Sequence, residues 1–384
     1  MTAEDGTPAH GEAPGPEGAD SPVGEVPPAG PAGRRFRPRA YQVGIVVGLL
    51  VILVVVGAAL TRRADEGPSR RAAQRSATTS TTAAPATTAA PTTVPAPTTW
   101  PLTGLPLGPD GPDPRTRRTV VVKFDAHPEV RAYDGIEEAD IVYEELVEGG
   151  LTRFAGVFNS SVPASAGPVR SVRSTDFDLL TNLNHPVLVF SGGNDATVAA
   201  LNNTSIEPAP PGGWSEQFFS RRRGQSAPHN LFVRLGDLAA GAPRGDGPPT
   251  VLPRAASPVP GVPAASIDVV FSDETRTTLD WDGARGEWIR HDNRSTRTDG
   301  AGQPLGFTNV LVLTMPYGTS PYDRRSPEAE VLGKGFGLAL HDGQAFAVVW
   351  SRPTPESPVE LTTPDGAPTG LPPGRTLVEL QPKR

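Results

Sequence analysis

The sequence predicts an α/β N-terminal extracytoplasmic domain followed by a smaller mainly-β domain, both behind a single N-terminal transmembrane helix. Three observations support this prediction. An unbroken apolar run covers residues 43–60. Strand-like and helix-like patterns alternate between residues 100 and 240, which is typical of α/β layers. Between residues 265 and 384 the patterns are short strands separated by turn signals.

Composition limits the classes of function. The formal net charge is -7, so we expect no nucleic-acid partner, because binding to phosphate backbones requires a basic face. The chain contains no cysteine, which excludes disulfides, thiolate catalysis, thiolate-bound zinc and a lipid-modified N-terminal cysteine in this sequence. The 45 prolines and 42 glycines are concentrated in particular segments, so we expect folded regions joined by unfolded ones.

Three segments precede the predicted domains. Residues 1–42 are mostly acidic and rich in Pro, Gly and Ala, and they predict a disordered cytoplasmic tail. As a helix, the run 43–60 is about 27 Å long and matches the hydrocarbon core of a bilayer. Residues 61–99 form a Thr/Ala/Pro-rich stalk. Arginines flank both ends of the apolar run, so the stalk rather than the charge indicates a cytoplasmic N-terminus and an extracytoplasmic bulk, at the cell membrane.

The predicted α/β domain covers residues 100–240. Residues 119–125 form a valine-rich strand, and residues 139–158 form two strands around a glycine pair, as in a hairpin. Residues 174–184 predict a helix with acidic residues in its first turn. Residues 185–203 predict a buried strand, a glycine turn and a second short helix.

The predicted mainly-β domain covers residues 265–384 and follows a Pro/Gly/Ala-rich linker at 241–264. Asp282-Gly283 and Asp342-Gly343 are hairpin turn signals. The predicted strands are 267–271, 277–281, 287–291, 309–314, 336–341, 345–350 and 376–380.

Two arginines and two aspartates lie close together in the stretch GPVRSVRSTDFDLL, residues 167–180. Beside a helix start at 174, Arg170 and Arg173 form a candidate cradle for a carboxylate or a phosphate. The alternative is that Asp176 and Asp178 neutralise both arginines and the network only holds its own loop, as structural ion pairs often do.

A second set of candidates is acidic. Period-two alternation sends Glu144 and Glu145 to opposite faces of one strand, and Asp125 and His127 share a face of another. Such groups could perform acid–base chemistry on a glycosidic bond or bind a metal. The alternative is a solvated cross-strand pair with Arg153. Because no H-E-x-x-H or other metal motif is present, we expect no metal and no cofactor.

Three further features have simpler explanations. The glycines in FSGGND, residues 190–195, suit a tight turn between a strand and a helix, and the segment is neither a P-loop nor a nucleophile elbow. The arginines 221–223 predict a charged surface loop, and His229 is expected to satisfy a backbone carbonyl.

The order of motifs resembles the YerB-like bacterial family, a domain of unknown function with N- and C-terminal parts. The resemblance covers about residues 100–380 and implies an exported, membrane-attached envelope protein, in many members a lipoprotein. Without a cysteine, the attachment here must be the predicted helix 43–60. Residues 126–136 lack an asparagine, a proline and a glutamine of the family pattern, and the family supplies no established catalytic residues. The motifs are PLTGLP, ADIVYEELVEGGLTRFAGVF, GPVRSVRSTD, HN, NVLVL and GQAFAVVWSR.

The leading hypothesis is therefore a membrane-anchored envelope protein that binds an anionic envelope ligand, such as a cell-wall polymer. One alternative is an enzyme, a hydrolase or transferase acting on envelope polymers with Glu144 or Glu145 and Asp125. The second alternative is a docking partner for another envelope protein. No catalytic residue is assigned, and the candidate ligand-binding residues are Arg170, Arg173, Asp176, Glu144, Glu145 and Arg153.

Overall fold

The computed structural model describes residues 97–109, 111–255 and 261–383. The predicted tail 1–42, the predicted membrane span 43–60 and most of the predicted stalk 61–99 lie outside these ranges. None of the helices within the ranges combines the length and the apolar character that crossing a bilayer requires.

Strands dominate the described chain, with short helices between them. In chain order the strands are β1 Val120–Asp125, β2 Ala132–Tyr133, β3 Ile141–Leu146, β4 Thr152–Phe158, β5 Val187–Val189, β6 Glu207–Ala209, β7 Phe219–Arg221, β8 Leu231–Val233, β9 Val262–Pro263, β10 Ser266–Val270, β11 Arg276–Asp282, β12 Glu287–Asp292, β13 Ser295–Thr296, β14 Thr298–Asp299, β15 Gly306–Phe307, β16 Asn309–Met315, β17 Tyr317–Thr319, β18 Pro327–Ala329, β19 Gly333–His341, β20 Gln344–Arg352, β21 Glu360–Thr362, β22 Pro368–Thr369 and β23 Thr376–Pro382. The α-helices are α1 Thr175–Leu180, α2 Asp195–Leu201 and α3 Leu235–Gly241. Short 3-10 helices lie at Pro114–Thr116, Ile136–Glu138, Glu148–Gly150, Thr181–Leu183 and Gly213–Phe218.

Twelve of these strands form one mixed sheet. Its order is β22-β21-β20-β19-β16-β23-β3-β4-β1-β5-β6, and β9 pairs with β20. A second sheet has the order β10-β11-β12-β13, with β15 paired to β12. The pairs β2–β14, β7–β8 and β17–β18 form small two-stranded sheets.

The predicted fold class, an α/β domain followed by a smaller mainly-β domain, is wrong, because strands dominate the described chain and most of them belong to one large mixed sheet. The C-terminal strand β23 lies between β16 and β3 and runs parallel to both, so strands from both predicted domains share one sheet. β3 and most of β23 are buried on both faces, and parallel strands of that kind require neighbours on each side. Val251 and Leu252, within the predicted linker, are also buried. The composition change at 241–264 carried no information about which strands pair.

The large sheet is covered on both faces, which explains why its central strands are so apolar. On one face, Val122 and Phe154 belong to a core that includes Trp288 of the second sheet. On the other face, Val121 belongs to a core that includes Leu180 at the end of α1. The central strands β1, β3 and β4 therefore send alternate side chains into two separate cores.

Most of the individual elements were predicted correctly. The 139–158 hairpin is confirmed, with β3 antiparallel to β4, and the hairpins β11–β12 and β19–β20 contain the predicted Asp-Gly turns. Asn194 caps α2 by accepting a 2.9 Å hydrogen bond from the Ala196 amide. Ser174 precedes α1 but does not cap it, because its hydroxyl donates to Glu328 Oε2 instead.

Candidate functional site

The segment 167–173 is held firmly at the end of β1. The Asp125 amide donates to Pro168 O at 3.0 Å, and the Arg170 amide donates to Lys123 O at 2.8 Å. On its other side, the Val169 amide donates to Leu231 O at 2.7 Å, and Arg170 O accepts from the Ser191 amide at 2.8 Å. Backbone bonds to three neighbouring segments therefore fix the position from which the side chain of Arg170 extends.

Asp125 is the centre of the charged groups at this end of the sheet. Its Oδ2 lies 3.2 Å from Arg170 Nε and 2.6 Å from His229 Nδ1, and its Oδ1 lies 3.8 Å from Arg153 Nη1. One buried carboxylate thus serves three partners. Burial, opposed by Asp125, lowers the pKa of Arg153 to about 10, so its guanidinium stays charged at neutral pH.

Donors on two of these arginines have no acceptor in the described part of the chain. The contact of Arg170 Nε with Asp125 does not have hydrogen-bond geometry, and Arg170 makes no other side-chain hydrogen bond there. The Arg170 side chain is 21% exposed. Arg153 is more deeply buried, and it donates from Nη1 to its neighbour Thr152 O while its Nε is unpaired. Arg170 is therefore the accessible group of the pair.

Arg173 is different, because it already has a partner. Its Nε and Nη2 donate to Glu148 Oε2 at 3.0 and 2.6 Å, and Glu148 also accepts from Ser326 Oγ. Burial tends to raise the pKa of Glu148, but the hydrogen bonds from Arg173 and Ser326 outweigh it and lower that pKa below its usual range. Together with Gly193 and Asn194, these residues line a groove of about 370 Å³, the Arg173 groove.

Asp176 and Glu145 face a buried lysine rather than a ligand. Lys123 Nζ lies 2.6 Å from Glu145 Oε1 and 2.7 Å from Asp176 Oδ1, and all three side chains are buried. Burial lowers the pKa of Lys123, but the two carboxylates outweigh it and raise that pKa above its usual value. Burial raises the pKa of Asp176 to about 6, with Lys123 opposing the shift. We call these three residues the Lys123 triad.

Glu144 lies on the opposite face of the sheet from the other candidates. It contacts Arg290 at 2.6 Å, and Arg290 also contacts Glu379 at 2.9 Å and Asp292 at 2.8 Å, all in the interior. Burial and the neighbouring Glu144 raise the pKa of Glu379 well above its usual range. The structure therefore brings Arg153, Arg170 and Arg173 to one end of the sheet but separates Glu144 from them.

Two histidines and a glutamate form a third group next to Asp125, the histidine cluster of His127, Glu129 and His229. The two imidazole rings stack with their centroids 4.6 Å apart, and His229 Nε2 lies 3.6 Å from Glu129 Oε2. Burial, and then the adjacent His229, lower the pKa of His127. Glu129 and His229 line the His229 groove, of about 340 Å³, with Pro168. The segment 168–173 thus borders two grooves.

Sequence reasoning missed two important partners. Lys123 was read only as part of a valine-rich strand, although a lysine in such a strand signals a buried charge that needs carboxylate partners. His229 bonds the Asp125 carboxylate rather than a backbone carbonyl. In the alternative, Asp176 and Asp178 neutralise Arg170 and Arg173. Instead, Asp176 accepts from Lys123 Nζ and from the backbone amide of Arg173, and within the described residues neither aspartate forms a salt bridge with the two arginines.

The chain matches the models of a known protein family. Residues 102–247 match the N-terminal domain, and residues 267–378 the C-terminal domain, of the family described as "Protein of unknown function (DUF3048)". The chain is a member of that family, and the resemblance seen in its motifs is confirmed.

The chain is similar to a protein and to a solved structure from Bacillus subtilis. The chain is 26% identical over 276 residues to the Bacillus subtilis (strain 168) protein named "Putative lipoprotein YerB", covering 69% of this chain and 82% of that protein. It is also similar to the crystal structure of the YerB protein from Bacillus subtilis, with a TM-score of 0.64 and 22% identity over 74% of this chain and 97% of that one. The name of the relative describes that protein as a lipoprotein, and the solved structure supports the fold of this chain.

Proposed function

We propose that this protein works outside the cytoplasm at the cell membrane and binds an anionic envelope component through Arg170. The observation that carries the proposal is the Arg170 guanidinium, which contacts Asp125 but makes no side-chain hydrogen bond within the described residues, on a backbone that three neighbouring segments hold in place. Buried polar groups in folded proteins almost always have hydrogen-bond partners, and the buried Nε of Arg170 has none within the described residues. The Arg170 guanidinium makes no hydrogen bond within the described residues, so it is suited to an external acceptor.

The chemistry of that acceptor follows from the donor. A guanidinium presents a planar fork of N–H groups that matches the two oxygens of a carboxylate or a phosphate. Arg153, which is buried, contacts the same aspartate as Arg170 and adds positive charge. Envelope polymers supply both classes of anion, as phosphodiester backbones or as free peptide carboxylates. We assign Arg173 to holding the loop, since Glu148 already occupies its fork.

The enzymatic alternative has less support. It relied on Glu144 or Glu145 acting with Asp125, and all three carboxylates are buried. Each of them is also in contact with a cationic side chain. A carboxylate that contacts substrate needs access to it, and these lack that access.

The test is a thermal-shift experiment on the full-length chain, purified in non-ionic detergent. The probes are inorganic phosphate, a polyol-phosphate polymer and peptidoglycan fragments with free carboxylates. A ligand at a hundredfold excess over its Kd stabilises the folded state by about 2.7 kcal/mol. We expect one class of anion to raise the Tm of the wild-type protein and not that of Arg170→Ala.

Arg276→Ala is the matched control, because Arg276 also lies 3.2 Å from a single carboxylate, Asp268, but in the second sheet. It should keep the shift. A shift that persists in Arg170→Ala contradicts the proposal. No shift with any of the anions also contradicts it and favours the docking alternative. Added protease should degrade the described region in intact spheroplasts if that region lies outside the cytoplasm.

A further inference from the structure

The histidine cluster brings together three side chains that the sequence separates. His127 and Glu129 follow β1, whereas His229 belongs to the loop before β8. One ligand atom from each residue lies within 4.8 Å of those from the other two. No spaced motif announces this group, because the fold rather than the local sequence brings His229 to the end of β1.

The hydrogen bond to Asp125 sets which nitrogen of His229 is available. The 2.6 Å contact joins Nδ1 to a carboxylate oxygen, which accepts, so in the neutral imidazole Nδ1 carries the proton and Nε2 keeps its lone pair. Nε2 lies 3.6 Å from Glu129 Oε2. Two ligands about 2.1 Å from a metal at the tetrahedral angle lie about 3.4 Å apart, so one ion fits between these atoms with little movement.

We propose that His127, Glu129 and His229 bind one divalent transition-metal ion of the zinc class. Two imidazoles and a carboxylate suit zinc and its neighbours, whereas Mg²⁺ and Ca²⁺ prefer oxygen ligands. Asp125 is the positioning residue, because a carboxylate bonded to the far nitrogen of a ligating histidine orients the ring and increases its basicity. Three protein ligands leave a coordination position open, as in sites where a metal contacts water or substrate.

The metal site goes beyond the proposed anion binding and does not depend on it. The two are neighbours, since Arg170 and His229 both contact Oδ2 of Asp125. An anion held by Arg170 therefore lies close to the open coordination position, beside the His229 groove. Metal binding and anion binding are measured separately, so either can fail while the other holds.

The experiment is calorimetric titration of the full-length chain, freed of metal by a chelator, with Zn²⁺ and then with Mg²⁺ and Ca²⁺. Co²⁺ serves as a spectroscopic probe, because its visible d–d bands report the geometry of its ligands. Glu129→Gln is the central variant: the Glu129 side chain is 70% exposed, so the substitution leaves the packing unchanged. His229→Gln is the second variant. Urea denaturation in the absence of metal checks that both variants are folded.

His291→Gln is the matched control, because His291 lies 3.5 Å from Asp280 in the second sheet, and no third candidate ligand accompanies them among the residues that the structure describes. We expect the wild-type chain and His291→Gln to bind one Zn²⁺ each, and Glu129→Gln and His229→Gln to bind it at least tenfold more weakly. Asp125→Asn should cost about 10- to 100-fold. The proposal is overturned if the wild-type chain binds no Zn²⁺, binds Mg²⁺ or Ca²⁺ more tightly, or loses nothing in both variants.

Discussion

Replacing Lys123 by methionine tests how much the buried charges of the Lys123 triad contribute to stability. Lys123 is fully buried, and its ammonium contacts the carboxylates of Glu145 and Asp176 at 2.6 and 2.7 Å. Methionine fills similar space but carries no charge. The substitution therefore leaves two carboxylates close together in the interior without a cation.

The expected cost follows from that geometry. Removing one partner of a buried ion pair destabilises a protein by about 3–5 kcal/mol, because the remaining charge has lost its compensation. Here the remaining groups can respond by binding a proton. Burial already raises the pKa of Asp176 to about 6, and loss of Lys123 would raise that pKa further. We therefore expect the full cost at pH 8 and a smaller one at pH 5.

Urea denaturation at both pH values measures this difference. The midpoint should fall at an unchanged m-value, as a pure change in stability requires. Lys334→Met is the control, because Lys334 is exposed on β19 and its replacement should cost less than about 0.5 kcal/mol. A cost below about 1 kcal/mol for Lys123→Met at pH 8, or an equal cost at pH 5, would refute the reasoning.

Four other substitutions test the same account. For Asp176→Asn, the difference in free energy of unfolding between the wild-type protein and the variant should grow in favour of the wild type by up to about 3 kcal/mol as the pH falls from 7 to 4. The reason is that the pKa of Asp176 is about 6 in the folded state and near its usual value in the unfolded chain, so protonation favours the folded state. Urea titrations across that pH range measure the difference. Arg290→Met leaves three buried carboxylates without their shared cation and should cost about 3–5 kcal/mol. By contrast, Glu379→Gln should cost about 1 kcal/mol, because burial and a neighbouring carboxylate already raise the pKa of Glu379 and favour its neutral form; equal costs in denaturation would contradict this. Tyr317→Phe removes a hydroxyl that accepts a hydrogen bond from the Leu146 amide at 3.1 Å. Differential scanning calorimetry should show a loss of stability of about 1–2 kcal/mol, and an unchanged stability would contradict a contribution from this bond.

Local patterns predicted the elements of this fold but not their assembly. Valine-rich and alternating runs identify β1, β3 and the C-terminal hairpins, because side-chain period depends only on neighbouring residues. The pairing of β23 with β3 depends on contacts between opposite ends of the described chain. No local pattern encodes such a contact, so the sequence did not indicate that strands from both predicted domains share one sheet.

The same limit applies to the candidate site. Two of the candidate residues, Arg153 and Arg170, share the carboxylate of Asp125, whereas Glu144 lies on the other face of the sheet. Partners could not be assigned from spacing, since Arg173 pairs with Glu148 and His229 with Asp125 through the folding of separate loops. Buried pairs of this kind follow from which strands and loops meet, and that information is tertiary.

The measurement that tests the central claim most directly is calorimetric titration of wild-type and Arg170→Ala proteins with the anion selected by the thermal-shift experiment. Hydrogen bonds to a charged group contribute about 1.5–3 kcal/mol, so loss of the guanidinium should weaken binding at least tenfold. The account predicts one site per wild-type chain, a tenfold or greater loss in Arg170→Ala and no loss in Arg276→Ala. Equal affinity in wild-type and Arg170→Ala proteins would contradict it.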